Sequence, residues 1–262
     1  MADGGASWEF AAESLRVRVL SSQRALGQAA AAHTAEVVRA SVRERGEARV
    51  VMATGNSQLP FVKALVDVAD VPWHAVTVFH MDEYVGIGPD HPASFQRWIA
   101  ENLERPLAPA RVHYLDGRAA SPSAEAARYE DLLREKPIDL VCMGIGENGH
   151  LAFNEPYQAD FADERWARVV SLDDRSRKQQ VDEGHFAGIE SVPETAISLT
   201  VPALLSARSL QVAVPERRKA EAVRAALTAP VDNSCPATAL RRQGNAVLFL
   251  DPESASLLDR EG

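Results

Sequence analysis

Cysteine is scarce in this chain: there are two in 262 residues, Cys142 and Cys235. With no CxxC pair and no Cys/His ligand spacing, neither a disulfide framework nor a zinc site is expected. Cys142 lies in an apolar run, where a free thiol behaves as a small hydrophobe. Long hydrophobic runs are missing as well, and none approaches the length of a membrane span. The opening MADGGASWEF has neither a basic n-region nor an apolar h-region. These absences lead to the expectation of a soluble cytoplasmic protein. Positive charge is in deficit, 28 Lys and Arg against 37 Asp and Glu, for a net −9. That balance argues against nucleic-acid partners and against an anionic membrane surface. A small anionic substrate stays admissible, because the field inside a cleft can oppose the net charge.

What is present is ordinary globular composition, 46% hydrophobic and 25% charged. The length allows a full core, and no linker or internal repeat interrupts it, so one domain over 1–262 is expected. Leu15, Val17 and Val19 alternate with Arg16 and Arg18, which predicts a half-exposed strand. Ser22 can cap an alanine-rich helix running to Arg45 and stopped by Gly46. Ala48 to Thr54 reads as a core strand, then a GNS loop, then a helix with Phe61, Leu65 and Val68 on one face. Ala75 to Asp82 reads as the next strand, followed by a helix from Ser94 to about Leu103. Ala124 to Glu135 reads as a helix and Ile138 to Gly146 as a buried strand. Ala167–Leu172, Ala196–Val201, Ser209–Val214 and Asn245–Leu250 are further strands, with a helix from about Glu216 between the last two. Apolar strands alternating with helices predict an α/β fold with a mostly parallel sheet covered on both faces.

In open parallel sheets ligands bind beyond the carboxyl ends of the strands. Three polar clusters fall there. The first, Thr54, Gly55, Asn56 and Ser57, has the make-up of an anion cradle: a glycine for a tight turn, polar donors, and a helix start. It lacks the G-K-[ST] ending of a Walker A loop, and a plain N-capped turn is the simpler alternative. The second is HMDEY, His80 to Tyr84, in which Asp82 and Glu83 directly follow an apolar strand. Consecutive residues at a strand end diverge, so at most one faces the crevice, where it could serve as a general base.

The third cluster is MGIGENGHLAFNEP. Gly144, Gly146 and Gly149 spell G-x-G-x-x-G, but a dinucleotide fingerprint should open a helix. Here HLAFNEP follows, with Pro156 seven residues on and no helical period. Asp173, after the strand ending at Leu172, could imitate the ribose-binding acid, which leaves that reading weak. The alternative is that the glycines bring backbone close to a small ligand and present His150, the side chain best suited to move protons near neutral pH. Asn148 and Glu155 then orient and tune it, as a third group fixes the imidazole of a catalytic triad.

Taken together, ATGNS, FHMDEYVGI, HPASFQRWI, GIGENGHLAFNEP and VPERRKAEAVRAAL resemble the glucosamine-6-phosphate deaminase family, also called glucosamine-6-phosphate isomerase. They stand in family order from about Arg49 to Leu250. A relative on the same fold, 6-phosphogluconolactonase, typically lacks the FNEP ending. The resemblance implies a modified Rossmann-like α/β/α sandwich with no cofactor and no catalytic metal. It implies conversion of glucosamine 6-phosphate and water to fructose 6-phosphate and ammonia. Carried over position by position, Asp82 matches the base that moves a proton between C2 and C1. His150 matches the group that opens the sugar ring, and Asn148 and Glu155 match its positioning residues. Thr54 to Ser57 match the phosphate loop and Lys219 a phosphate-binding lysine at the start of a late helix, and Gly144 is expected beside them as a substrate-binding residue. The implied partner is a small sugar phosphate, and a homo-oligomer is compatible, since relatives range from monomers to hexamers.

Two departures stand out. Some family members have Asp where this chain has Asn148, and Asn can orient but cannot carry charge. The family also often places a phosphate-binding arginine after the strand matching ARVVSL. Here that slot falls near Asp182 to Gly184, with Arg175, Arg177 and Lys178 as nearby cations. Three functions are therefore weighed: an aminosugar-phosphate deaminase, a lactonase-type hydrolase, and a sugar-phosphate-binding regulator. Asp82, His150 and Glu155 disfavour the regulator, because a pure binder needs no general base.

Overall fold

The computed structural model describes residues 6–182, 184 and 186–259. Eight strands form the main sheet in the order β1-β2-β11-β10-β7-β3-β4-β6. They are β1 (Ala6–Ala12), β2 (Leu15–Leu20), β3 (Ala48–Met52), β4 (Val76–His80), β6 (Arg111–His113), β7 (Leu140–Met143), β10 (Ser209–Val214) and β11 (Ala246–Leu250). All neighbours pair in parallel except β1, which returns antiparallel along β2. The central strands β3, β7 and β11 are buried along their whole length, as expected for strands covered on both faces.

The cover follows the two-residue period of the strands. Val50, Met52, Val78, Leu140 and Phe249 point to one side. There they pack with Leu26 and Val38 of α1 (Gln23–Arg45), Phe61 and Leu65 of α2 (Leu59–Val66), and Ile99 of α3 (Phe95–Ile99). A π-turn over Ala100–Glu104 carries α3 into α4 (Arg105–Leu107). Val51, Phe79, Val141, Met143 and Leu248 point the other way. They meet Tyr129 and Leu133 of α5 (Pro122–Arg134), and, beyond α6 (Asp174–Asp182), Leu204 of α7 (Val201–Leu205) and Val223 of α8 (Ala220–Thr228). Helix α1 is bounded as its sequence predicts. Ser22 Oγ accepts from the Ala25 amide, and Gly46, at φ 77°, donates its N–H to the Val42 carbonyl.

Two expectations need correction. Ala75 to Asp82 is not one strand: β4 ends at His80, and Asp82 begins β5 (Asp82–Tyr84) in a separate sheet. The runs ARVVSL and AISLTV do not join the parallel sheet either. They form β8 (Ala167–Ser171) and β9 (Thr195–Leu199), and β9 pairs antiparallel with both β8 and β5. Short apolar runs read alike in either setting, so periodicity could not assign them. The small sheet has its own cluster, in which Tyr84, Phe153, Phe186 and Ala196 pack together.

From β3 the main sheet winds outward through β4 and β6, and on the other side through β7 and β10. Its topological switch point therefore lies between β3 and β7, where a crevice opens beyond the strand ends. Among the described residues, no helix is long and apolar enough to cross a membrane.

Candidate active site

A cavity open to solvent, about 700 Å³ of empty space with its open mouth included, occupies that switch point. The three polar clusters meet there. Thr54 to Gln58 enter from the end of β3, and Gly144, Gly146 and His150 from the end of β7. Asp82 enters from β5, Lys219 from the turn after β10, and Gln180 from α6.

Gly55, at φ 98°, turns the chain into a short 3-10 turn, Asn56–Gln58, that leads into α2. No side chain caps either helix start, so Asn56 and Ser57 are not spent on an N-cap. Gln58 is buried and wedges between strand ends, its Nε2 donating to the Ala213 carbonyl at 3.2 Å. A Cβ on Gly144 would sit 2.8 Å from that nitrogen. Lys219 is 5% exposed in the turn Arg217–Lys219. Among the described residues lining the cavity, it is the one with a permanent positive charge.

Asp82 and Glu83 diverge as the strand geometry requires. Glu83 turns away, accepting from Ser94 Oγ and from the amides of Tyr84, Phe95 and Gln96, so it anchors the start of α3. Asp82 faces the cavity, 7% exposed, and its carboxyl has no hydrogen-bond partner among the described residues. Burial, aided by the nearby Glu83 charge, pushes its pKa up to about 8.

His150 belongs to a three-residue assembly. Its Nδ1 stands 3.6 Å from Glu155 Oε1. Asn148 ties the pair from both ends: its Nδ2 donates to Glu155 Oε2 at 2.7 Å, and its Oδ1 accepts from the His150 amide at 3.1 Å. Ser176 Oγ donates to Glu155 Oε1 at 2.5 Å. Glu155 is fully buried. Burial alone would raise its pKa, but His150, Ser176 and Asn148 outweigh that and hold it down to about 2. Neither Asn148 nor Glu155 lines the cavity; they stand behind His150.

The glycines also have their explanation. A Cβ on Gly146 would overlap the His150 ring, and one on Gly149, already at φ 87°, would lie 2.5 Å from Cys235 Sγ. The G-x-G-x-x-G pattern thus makes room for His150 and Gln58, and the chain after it runs through turns rather than a helix. Asp173 accepts from the Ser176 amide at the start of α6 and does not line the cavity.

Three residues escaped the sequence, Gln58, Ser176 and Gln180, and His80 stood in the HMDEY cluster without a role of its own. Ser176 and Gln180 stand one turn apart on α6, in the segment where the arginine slot was sought. Arg177 instead gives its guanidinium to the Ile189 and Val192 carbonyls. Lys178 is exposed and does not line the cavity. The Arg175 side chain lies outside the described residues.

A doubly wound sheet with a buried carboxyl, a histidine–carboxylate couple and a polar loop at its switch point makes a candidate acid–base site for a small ligand. The family of glucosamine-6-phosphate isomerases and 6-phosphogluconolactonase matches residues 21–249, and the chain belongs to it. It is 37% identical over 186 residues to the glucosamine-6-phosphate deaminase of Exiguobacterium sibiricum, covering 71% of this chain and 72% of that protein. With the enzyme of the same name from Streptococcus uberis it shares 35% over 209 residues, covering 79% and 86%. A solved monomeric glucosamine-6-phosphate deaminase superposes with a TM-score of 0.84 at 28% identity, covering 92% of this chain and 99% of that one. A 6-phosphogluconolactonase from Shewanella baltica shares the fold, with a TM-score of 0.74 at 20% identity over 90% and 97%.

Proposed function

We propose that this protein is a glucosamine-6-phosphate deaminase, converting glucosamine 6-phosphate and water to fructose 6-phosphate and ammonia. The observation that carries the reading is the Asp82 carboxyl: buried, without a hydrogen-bond partner among the described residues, and facing the same cavity as the Glu155-backed His150. A lactonase needs no carboxyl waiting for a cation, whereas an aminosugar brings one.

The roles follow from the chemistry. The polar loop Thr54 to Ser57 and Lys219 hold the phosphate, and Gly144 lines the cavity beside them while leaving room for Gln58. His150 passes a proton to the ring oxygen as the ring opens. Glu155 stabilises the imidazolium, and Asn148 fixes both partners. Asp82 takes the proton from C2 and returns it at C1. That shift leaves C2 as an imine, which water hydrolyses to the ketone with loss of ammonia. A positioned general base contributes roughly 10²- to 10⁴-fold, and the phosphate grip aligns the reacting carbons. Asn148 serves this scheme without a charge of its own, because its amide bridges Glu155 and the His150 backbone. We take the cytoplasm as the location and amino-sugar catabolism as the setting, since phosphorylated sugars do not cross membranes unaided.

The test is ammonia and fructose 6-phosphate assayed together from glucosamine 6-phosphate, with wild type and Asp82→Asn. Equal amounts of both products, lost in the variant, are expected. Hydrolysis of 6-phosphogluconolactone without ammonia release would transfer the assignment to the lactonases.

A further inference from the structure

His80 ends β4 and is wholly buried, with Tyr114 and Tyr129 edge-on to its ring. Both ring nitrogens are engaged by main-chain groups. Nδ1 lies 2.9 Å from the Asp82 carbonyl, and Nε2 lies 2.9 Å from the Leu115 amide nitrogen. A carbonyl only accepts and an amide N–H only donates, so the tautomer is fixed with hydrogen on Nδ1 and the lone pair on Nε2. A protonated ring would set two N–H groups against each other at Leu115. Desolvation acts in the same sense, drawing the pKa down to about 4. Tyr129 steadies the same residue, its hydroxyl accepting from the His80 amide at 2.9 Å.

The location gives this bond its meaning. Only Met81 separates the end of the large sheet from the start of the small one. β5 is three residues long and, among the described residues, an edge strand with β9 as its one strand neighbour. The Asp82 carboxyl has no hydrogen bond of its own among the described residues, so its direction is set by its backbone. Asp82 lies opposite Ser198 of β9 without bonding to it, and the β9 hold falls on its neighbour Met81, whose carbonyl accepts from the Leu199 amide. The Asp82 carbonyl is held by His80.

We propose that His80 is a positioning residue. Its neutral Nδ1–H holds the Asp82 carbonyl at the seam between the two sheets and thereby aims the Asp82 carboxyl into the cavity. This rests on the reading of Asp82 as the group that moves the proton between C2 and C1.

Two amide substitutions separate the two ring nitrogens. Asn carries its amide where Nδ1 sits, so His80→Asn keeps a donor for the Asp82 carbonyl and drops the acceptor for Leu115. Gln carries its amide where Nε2 sits, so His80→Gln does the reverse. In His80→Gln, kcat for ammonia release should fall by about tenfold or more with KM within about twofold, because misaimed reacting groups cost rate and the phosphate grip lies elsewhere. His80→Asn should rescue kcat to within about threefold of wild type. Melting temperatures are measured alongside. An equal loss of kcat in both variants, or losses that simply follow the melting temperatures, would overturn the proposal. If the wild type releases no ammonia, the deaminase reading falls separately. His80 is then judged by the ¹³C titration of the Asp82 carboxyl, which should shift in His80→Gln and hold in His80→Asn; no difference between them overturns it.

Discussion

The Asp82 carboxyl should give up its proton when an aminosugar phosphate binds, and the amount can be worked out. With a pKa of about 8, the group is about nine-tenths protonated at pH 7. A substrate ammonium about 4 Å away contributes about 4 kcal/mol at an effective dielectric constant of about 20. That is about three pKa units, enough to leave the bound carboxyl ionised. Two open-chain analogues isolate the effect: 2-amino-2-deoxyglucitol 6-phosphate carries the ammonium, and glucitol 6-phosphate carries a hydroxyl in its place. Calorimetric titrations in buffers of different ionisation enthalpy count the protons released. At pH 7 the amino analogue should release about 0.9 proton more than the hydroxyl analogue, since the pKa of about 8 belongs to the empty site. In Asp82→Asn the difference should vanish. Equal release by the two analogues, or a difference that survives in Asp82→Asn, would refute the idea that the substrate ionises its own base.

Asp82 should also cost the fold stability in alkaline solution. Its folded pKa is raised from 3.8 to about 8, so its share of stability is complete below pH 4 and is lost as pH rises through about 8. Thermal melts should therefore show Asp82→Asn more stable than wild type at pH 8.5 and level with it near pH 4. Glu155 has the opposite sign: its stabilising share is present above its usual 4.5 and is lost as pH falls toward about 2. Glu155→Gln removes the charge facing His150 and should lower kcat by about 10²-fold or more, read in the ammonia assay at pH 7. Gly146→Ala displaces the His150 imidazole and should lower kcat with little change in melting temperature. Gly149→Ala, strained at φ 87° and crowding Cys235, should cost about 1–3 kcal/mol in denaturant unfolding.

The cavity was legible wherever a polar residue interrupts an apolar run. Thr54 to Ser57 and Asp82 stand at or just past strand ends, and Gly144 and His150 lie in the loop that leaves β7, where glycines and polar residues have no core use. Asn148 and Glu155 were legible because they lie within a few residues of His150. Ser176 and Gln180 were not, because they reach the site from a polar helix more than twenty residues away, where nothing local distinguishes them from solvent-facing neighbours. His80 was legible as part of the polar HMDEY cluster, but its role was not, because both of its ring nitrogens are engaged by main-chain groups distant or indistinct in sequence pattern. The main sheet followed from its run of buried strands. The small sheet did not, since β8 and β9 look like parallel strands until their pairing is known. β1 and β6, one antiparallel and one only three residues long, left no clear pattern.

The division between the two sheets has an evolutionary consequence. The polar loop, the lysine and the histidine all hang from the large sheet, while Asp82 alone belongs to the small one. A lineage can therefore rebuild three short strands, exchange or silence the base, and inherit the rest of the pocket intact. One scaffold can in this way diversify its chemistry without relearning its ligand, and the small sheet is the place where such divergence between relatives should be sought.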